Sequence, residues 1–153
     1  MKKLFLTSLV IVLSITTISC GDDDGGSVEE TLTGGTWKLV SLEVNGNDVT
    51  ATELDACDLE ETYVFNNDNT FVFTSNRTDD STDTCVESTV IGAWEVKPSN
   101  NTTEFIAAYD GDDITNEDDQ LDFRIEDQTL VEIIEEPVAS GGSDSYRYRY
   151  EKQ

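Results

Sequence analysis

Eight short segments of this chain carry the pattern of β-strands, and turn residues separate them. Residues 121–125 alternate strictly between apolar and charged side chains, and residues 146–150 alternate between Tyr and Arg. Strands with one buried face show this period of two. The eight predicted strands are residues 37–44, 62–65, 70–74, 89–96, 104–109, 121–125, 130–134 and 146–150. Short strands joined by hairpin-length loops predict an all-β sandwich or barrel. Closure into a barrel is favoured, because it removes exposed sheet edges.

Helices contribute little to this prediction. Residues 49–58 include Ala51, Glu53 and Leu54 and can hold one short helical turn. Residues 77–83 and 110–119 are predicted as polar loops. The loop at 110–119 is dense in carboxylates, which are ligands that Ca²⁺ accepts. Its spacing does not match the EF-hand loop, so we predict a solvated acidic loop and no metal site.

The N-terminus has the organisation of a secretory signal. Lys2 and Lys3 precede a mostly apolar stretch, residues 4–18, and the small Ser19 follows it. That stretch is shorter than the roughly 20 apolar residues that a membrane-spanning helix needs. We therefore predict that residues 1–19 are a cleaved signal peptide.

Residues 17–20, Thr-Ile-Ser-Cys, resemble the lipobox of bacterial lipoproteins. The resemblance implies that Cys20 becomes the lipidated first residue of the mature protein, and several acyl chains together make a stable membrane anchor. The alternative is an unmodified Cys near a conventional cleavage site. Residues 20–31 are rich in Gly and acidic residues and predict a flexible tether.

The acidic residues that closely follow Cys20 also resemble the export signal of surface-exposed lipoproteins of Bacteroidetes. This resemblance implies that the protein is lipid-anchored in the cell outer membrane and exposed at the surface. The alternative is that the run is only a charged linker.

The charge of the chain excludes several classes of function. Thirty-three acidic residues against nine basic ones give a formal net charge of −24. Binding of nucleic acid, or electrostatic binding to anionic lipid headgroups, requires basic patches instead. The chain has no His, so it cannot form a Ser-His-Asp triad, a Cys-His pair or a His-ligated zinc or haem site. We predict no catalytic residues and no cofactor.

Two cysteines remain if Cys20 carries lipid. Cys57 and Cys85 are expected to pair, because the envelope compartment is oxidising. A redox-active pair more often has the C-x-x-C spacing, which is absent from the chain. The predicted bond is therefore structural, and closing its loop contributes about 3–4 kcal/mol in the loop-entropy description.

The first predicted strand opens with Gly35-Thr36-Trp37, which resembles the G-x-W motif of lipocalins. Aromatic residues at 63–65 and 71–73, and a second G-x-W at 92–94, strengthen a resemblance to the lipocalin-like domains of Bacteroidetes lipoproteins. The resemblance implies an eight-stranded up-and-down antiparallel β-barrel over residues 32–153, with a ligand cavity at one end.

Two further expectations concern the tryptophans. In lipocalins a late Arg packs over the first-strand Trp, which implies a cation–π contact between Trp37 and Arg147 or Arg149. Trp94 has the same G-x-W context and serves as an internal comparison for Trp37: if it faces outward on its strand, replacing it by Ala should cost about 1 kcal/mol or less.

The aromatic and apolar positions of the strands define a candidate ligand-binding interior. These residues are Trp37, Leu39, Tyr63, Phe65, Phe71, Phe73, Phe105, Phe123, Tyr146 and Tyr148. They can line a pocket for a small hydrophobic ligand, or they can simply fill the core of a small barrel. The predicted function is accordingly ligand binding by an anchored lipoprotein. The alternative is a non-enzymatic interaction module that presents barrel loops to a protein partner in an envelope complex.

Overall fold

The computed structural model describes residues 27–79, 81–97, 103–139 and 141–153. The predicted signal peptide, Cys20 and the first residues of the predicted tether lie outside the described residues. Nine strands are present in the described part: β1 Thr36–Val44, β2 Asn47–Asp48, β3 Thr62–Phe65, β4 Thr70–Asp79, β5 Thr84–Val96, β6 Glu104–Tyr109, β7 Leu121–Glu126, β8 Thr129–Pro137 and β9 Ser143–Lys152.

Eight of these strands close into a barrel. Each strand from β3 to β9 pairs antiparallel with the next, β3 also pairs with β1, and β9 returns to pair with β1. The two-residue β2 only extends the end of β1 as a hairpin. The predicted eight-stranded up-and-down antiparallel barrel is therefore confirmed.

The hairpin of β4 and β5 is longer than predicted. Its ladder continues to the pairs of Arg77 with Val86, Thr78 with Cys85, and Asp79 with Thr84. Residues 77–79 are therefore strand and not part of a polar loop, which corrects the prediction. The sequence signal was weak because β5 is exposed on both faces from Thr84 to Val90, so no hydrophobic alternation marks it.

The helical parts of the chain are short. α2, Thr50–Glu53, is the predicted helical turn, and two 3-10 helices cover Asp58–Glu60 and Glu117–Asp119. Within the residues that the structure describes, no helix is long and apolar enough to cross a membrane.

A further short helix, α1, occupies Val28–Leu32, where the sequence predicted flexible tether. The Ser27 side chain accepts a hydrogen bond from the Glu30 N–H at 3.2 Å, as N-cap residues do. Val28 and Leu32 are buried in the core. A helix of this length is too short for a hydrophobic period to reveal it.

Both tryptophans belong to the core. Trp37 Nε1 donates a 2.9 Å hydrogen bond to the Leu32 carbonyl, so α1 closes this end of the barrel. Trp94 is only 2% exposed, and its Nε1 donates to the Thr70 carbonyl at 3.1 Å. Trp94 therefore faces inward, and the condition under which it would serve as a surface comparison is not met. Gly92 faces inward with it, because any Cβ there would meet the Phe71 ring and the Ala108 carbonyl.

The cation over Trp37 is a lysine. Lys152 Nζ lies 5.4 Å from the centroid of the Trp37 ring, and Lys152 is paired with Trp37 across β9 and β1. The expectation of Arg147 or Arg149 at this place is wrong, because their side chains form ion pairs with Glu43 and Glu126 on the outer face of the barrel. Successive residues of a strand face opposite sides, so Lys152 shares the face of Tyr150.

Candidate functional site

A cavity of about 370 Å³ opens at the end of the barrel opposite Trp37. We refer to it as the mouth cavity. Its walls come from β3, β4, β6, β8 and β9, and the segment between β2 and β3 forms its rim. The lining residues are Glu53, Leu54, Asp58, Glu61, Tyr63, Phe73, Tyr109, Glu132, Ile134, Tyr148 and Tyr150.

Glu132 lies at the floor of the mouth cavity and is 6% exposed. Tyr150 Oη donates a 3.1 Å hydrogen bond to its Oε2, and Tyr63 Oη lies 3.4 Å from both carboxyl oxygens. Burial raises the pKa of Glu132 to about 7, although these hydrogen bonds act in the opposite direction. Burial also raises the pKa of both tyrosines well above 10, so they stay protonated as donors.

A second carboxyl group, that of Glu61, lines the wall above this floor. Partial burial raises its pKa to about 7, and the nearby charges of Asp58 and Glu132 add to this effect. Its backbone carbonyl accepts a hydrogen bond from the Leu39 N–H. Among the described residues, no side chain or backbone donor satisfies the Glu61 carboxylate.

Aromatic rings form much of the cavity wall. Tyr63 stacks on Phe73 with ring centroids 4.5 Å apart, and it meets Tyr150 edge-on at 5.2 Å. The ring centroids of Tyr109 on β6 and Phe73 are 6.3 Å apart. Tyr148 completes the set of rings. The cavity therefore combines flat aromatic surfaces with four carboxyl groups, those of Glu132 and Glu61 inside and those of Asp58 and Glu53 at the rim.

The rim is fastened to the barrel by the predicted disulfide bond. Cys57 is bonded to Cys85 at the start of β5, which confirms the pairing. Beside this bond, Thr78 Oγ1 donates a 2.5 Å hydrogen bond to Asp55 Oδ2. The segment that carries Asp58 and Glu61 is thereby held against the β4–β5 hairpin.

A second opening of about 380 Å³ lies beside the mouth cavity, between α2 and the strands β1 and β9. It shares Glu53, Leu54 and Tyr148 with the mouth cavity, and Tyr146 lines it. The end of the barrel is thus open on both sides of α2.

The structure divides the ten predicted interior residues into two groups. Tyr63, Phe73 and Tyr148 line the mouth cavity, and Tyr146 lines the opening beside it. The remaining six, Trp37, Leu39, Phe65, Phe71, Phe105 and Phe123, are packed into the solid core. The assignment of these residues to ligand binding stays a prediction.

Sequence reasoning missed several cavity residues. Tyr150 continues the face of Tyr146 and Tyr148, so the period of the strand could have identified it. Glu132 lies between Leu130 and Ile134 on the inward face of β8, but an acidic residue is normally assigned to the outer face.

Among the described residues, five basic side chains form ion pairs on the outside of the barrel wall. Arg147 Nη2 is 2.6 Å from Glu126, Arg149 Nε is 2.9 Å from Glu43, and Arg124 Nη2 is 2.7 Å from an oxygen of Glu104. Lys38 and Lys97 form ion pairs with Glu60 and Asp122. Each of these pairs joins neighbouring segments across the outer surface.

In the loop predicted to be solvated, two carboxylates accept hydrogen bonds from other residues of the same loop. Asp113 Oδ1 accepts hydrogen bonds from the N–H and the hydroxyl of Thr115, and Asn116 donates to Asp119. Within the described part of the chain, no group of three or more potential metal ligands is present.

Comparison with known proteins gives a family match and a structural likeness. A family model described as a lipocalin-like domain matches residues 33–151. No curated protein matches the chain. The bovine odorant-binding protein in complex with a selenium-containing odorant is 16% identical, with 82% of this chain and 72% of that chain covered and a TM-score of 0.41. Its complex with undecanal is also 16% identical, with 80% and 71% covered and a TM-score of 0.39.

Proposed function

This chain belongs to the lipocalin-like domain family, and we propose that it is a non-enzymatic binding protein for one small molecule. The bound molecule has an apolar or aromatic body and occupies the mouth cavity. The observation that carries this proposal is the cavity itself, with a volume of about 370 Å³ and a wall that includes Tyr63, Phe73 and Tyr109. Ligand pockets of proteins occupy roughly 300–1,000 Å³, so this volume suits a small ligand.

The same cavity favours ligand binding over the alternative function of an interaction module. A barrel that only presented its loops to a protein partner would need no opening in its core. The open end also lies next to a rim that is fixed by the Cys57–Cys85 bond. A rim held in place reduces the cost of ordering the site when the ligand binds.

We also propose that Cys20 anchors the protein in the outer membrane, with the barrel displayed at the cell surface. The lipobox resemblance and the acidic residues after Cys20 support this location. The chain enters the barrel through α1, which packs against the closed end at Trp37. An anchor at Cys20 would therefore be joined to the barrel at the end opposite the mouth cavity.

The binding proposal can be tested with N-phenyl-1-naphthylamine, a neutral aromatic probe that fluoresces in apolar surroundings. Ile134 lines the mouth cavity, so Ile134→Trp replaces an aliphatic side chain there with a bulky indole ring that fills part of the cavity. Ile133→Trp is the matched control, because the neighbouring residue faces the other side of β8. We expect the wild-type protein and Ile133→Trp to bind the probe and Ile134→Trp to lose it. Equal binding by both variants, or no binding by the wild type, would contradict the proposal.

A further inference from the structure

The mouth cavity holds acidic groups without basic partners. Glu132 lies at the floor, Glu61 lines the wall, and Asp58 and Glu53 stand at the rim. No Lys or Arg of the described residues lines it. A carboxylate that is removed from water without a counter-ion is unfavourable, so such a group takes up a proton or binds a cation.

The positive charges of the barrel wall are placed where they cannot neutralise this site. Arg147 and Arg149 lie on β9 between the tyrosines that face inward, and both are paired with acidic residues outside the barrel. Arg124 on β7 is likewise paired with Glu104. β9 therefore presents its cations to the outer surface and its aromatic rings to the cavity, where they lie beside the carboxyl of Glu132 on β8.

The aromatic wall adds a second feature that suits a cation. The rings of Tyr63, Phe73, Tyr109, Tyr148 and Tyr150 surround the space next to Glu132. Aromatic faces attract ammonium groups through their quadrupole, and rings of this kind form cages around alkylated ammonium ions. A bare divalent metal ion is less suited, because Ca²⁺ takes roughly 6–8 oxygen ligands and no cluster of three or more ligands exists in the described residues.

The charge of the whole chain acts in the same direction. Its formal net charge of −24 produces a negative potential that raises the local concentration of cations and lowers that of anions. A fatty-acid carboxylate would approach against this field and would meet Glu61 and Glu132 inside the cavity. An amphiphilic anion is therefore disfavoured as the ligand.

We propose that the mouth cavity binds a small organic cation, an ammonium group carried on an apolar or aromatic body. The ammonium lies between the carboxylates of Glu132 and Glu61, and the body packs on the rings of Tyr63, Phe73 and Tyr109. This inference rests on the proposed binding function and specifies the class of its ligand.

The inference includes a dependence on pH. The other titratable groups that line the cavity are Tyr63 of β3, Tyr109 of β6, Tyr148 and Tyr150 of β9, Asp58 of the first 3-10 helix and Glu53 of α2, while β4 contributes only the ring of Phe73. The pKa of Glu61 and of Glu132 is about 7. The cation prefers ionised carboxylates, so its affinity rises as pH rises through neutrality and its binding releases protons.

The test is a calorimetric titration of the full chain, in non-ionic detergent, with three probes of similar shape. Phenethylamine is the cation, 2-phenylethanol the neutral analogue and phenylacetate the anion. Near pH 8 we expect the amine to bind at least about tenfold more tightly than the alcohol, and phenylacetate to bind most weakly. At a pH of about 5.5 the preference for the amine should disappear, because both carboxyls are then protonated.

Three variants locate the effect. Glu132→Gln and Glu61→Gln should each lower the affinity for phenethylamine by about tenfold relative to the affinity for 2-phenylethanol. Glu135→Gln removes the same charge from an exposed position of β8 and should bind all probes as the wild type does. Circular dichroism verifies that each variant is folded, and Glu61, which is only partly buried, provides the test if Glu132→Gln does not fold.

The outcomes separate the two proposals. If 2-phenylethanol binds as tightly as phenethylamine, or if Glu61→Gln leaves the preference intact, the inference about a cation is wrong and the binding function stands. If none of the three probes binds and N-phenyl-1-naphthylamine does not bind either, both proposals fall. If Glu135→Gln reduces the preference for the amine as much as Glu61→Gln does, the preference comes from the overall charge of the protein. That outcome also overturns the proposed cation site.

Discussion

The Tyr150 hydroxyl donates a hydrogen bond of 3.1 Å to Oε2 of Glu132, which joins β9 to β8 beneath the mouth cavity. The contact is diagonal, since Tyr150 is paired with Leu130 and Glu132 with Tyr148. Both residues are almost completely buried. The hydrogen bond gives the carboxyl a donor, but burial has the larger effect on its pKa, which is raised to about 7.

The first prediction is that the protein loses stability as pH rises from about 4.5 to about 7. Glu132 has a pKa of 4.5 when unperturbed and about 7 in the folded protein, so the folded state holds a proton that the unfolded state has released. Stability from this group is fully present below the unfolded pKa and is lost as pH rises through the folded pKa. Glu132→Gln does not titrate and should show a smaller loss, measured by urea unfolding across this range.

Glu135→Gln is the control for this prediction. Hydrogen bonds from Ser145 and Ser143 lower the pKa of Glu135, so this group titrates below the range in question. Its unfolding free energy should therefore run parallel to that of the wild type. If the unfolding free energies of Glu132→Gln and of the wild type ran parallel across this pH range, the pKa of Glu132 would not be raised in the folded protein, which would contradict the prediction.

The second prediction concerns the two tryptophans. Trp37 is 1% exposed and Trp94 is 2% exposed, and each indole N–H is bonded to a backbone carbonyl. Either substitution to Ala should therefore lower the free energy of unfolding by about 3–5 kcal/mol. Ile91→Ala, at a position that is 55% exposed, should change it by about 0.5 kcal/mol or less. Denaturant melts check the ranking, and a nearly neutral Trp94→Ala would contradict the inward orientation.

The third prediction concerns the disulfide bond between Cys57 and Cys85, which are 28 residues apart. Replacing both residues by Ala should lower the free energy of unfolding by about 3–4 kcal/mol and leave the barrel folded. The amide hydrogens of the rim around Asp58 and Glu61 should then exchange faster than they do in the wild type, whereas those of β8 should keep their protection. Hydrogen exchange followed by mass spectrometry measures both regions, and unchanged protection of the rim would contradict its dependence on the bond.

The fourth prediction concerns the anchor. Cys20→Ser removes the thiol that would be lipidated, so the precursor should stay uncut by the lipoprotein signal peptidase. In detergent-phase partitioning, the wild type should enter the detergent phase and the processed form should carry acyl chains by mass. The lipoprotein proposal would be contradicted if the wild type carried no acyl chains and partitioned in the same way as Cys20→Ser.

The order of the strands could be predicted because most signals are local. Residues 121–125 and 146–150 alternate strictly, and Asp127 and Gln128 form the expected tight turn with positive φ values of 48° and 67°. Barrel closure followed from the need to pair the edge strands. The far part of the β4–β5 hairpin was missed because β5 is exposed on both faces there, which leaves no hydrophobic alternation.

The chemistry of the cavity was harder to predict, and β8 shows why. Leu130 is buried on the inner face, yet Val131, next to it, is also fully buried. On the outer face Val131 is paired with Arg124 and Arg149, whose long stems can cover apolar groups. With both faces buried, the period of two disappears from this strand. The inward orientation of Glu132 then follows only from its neighbours in the closed barrel.

The alternation of Tyr and Arg along β9 bears on how reliably the barrel closes. If β9 paired with β8 and β1 one residue out of step, every side chain of the strand would change faces. Arg147 and Arg149 would enter the interior and lose their ion pairs with Glu126 and Glu43, while Tyr148 and Tyr150 would be exposed to water. Misregistered closure is thus strongly unfavourable, so the alternation of Tyr and Arg along β9 specifies the register in which the barrel closes.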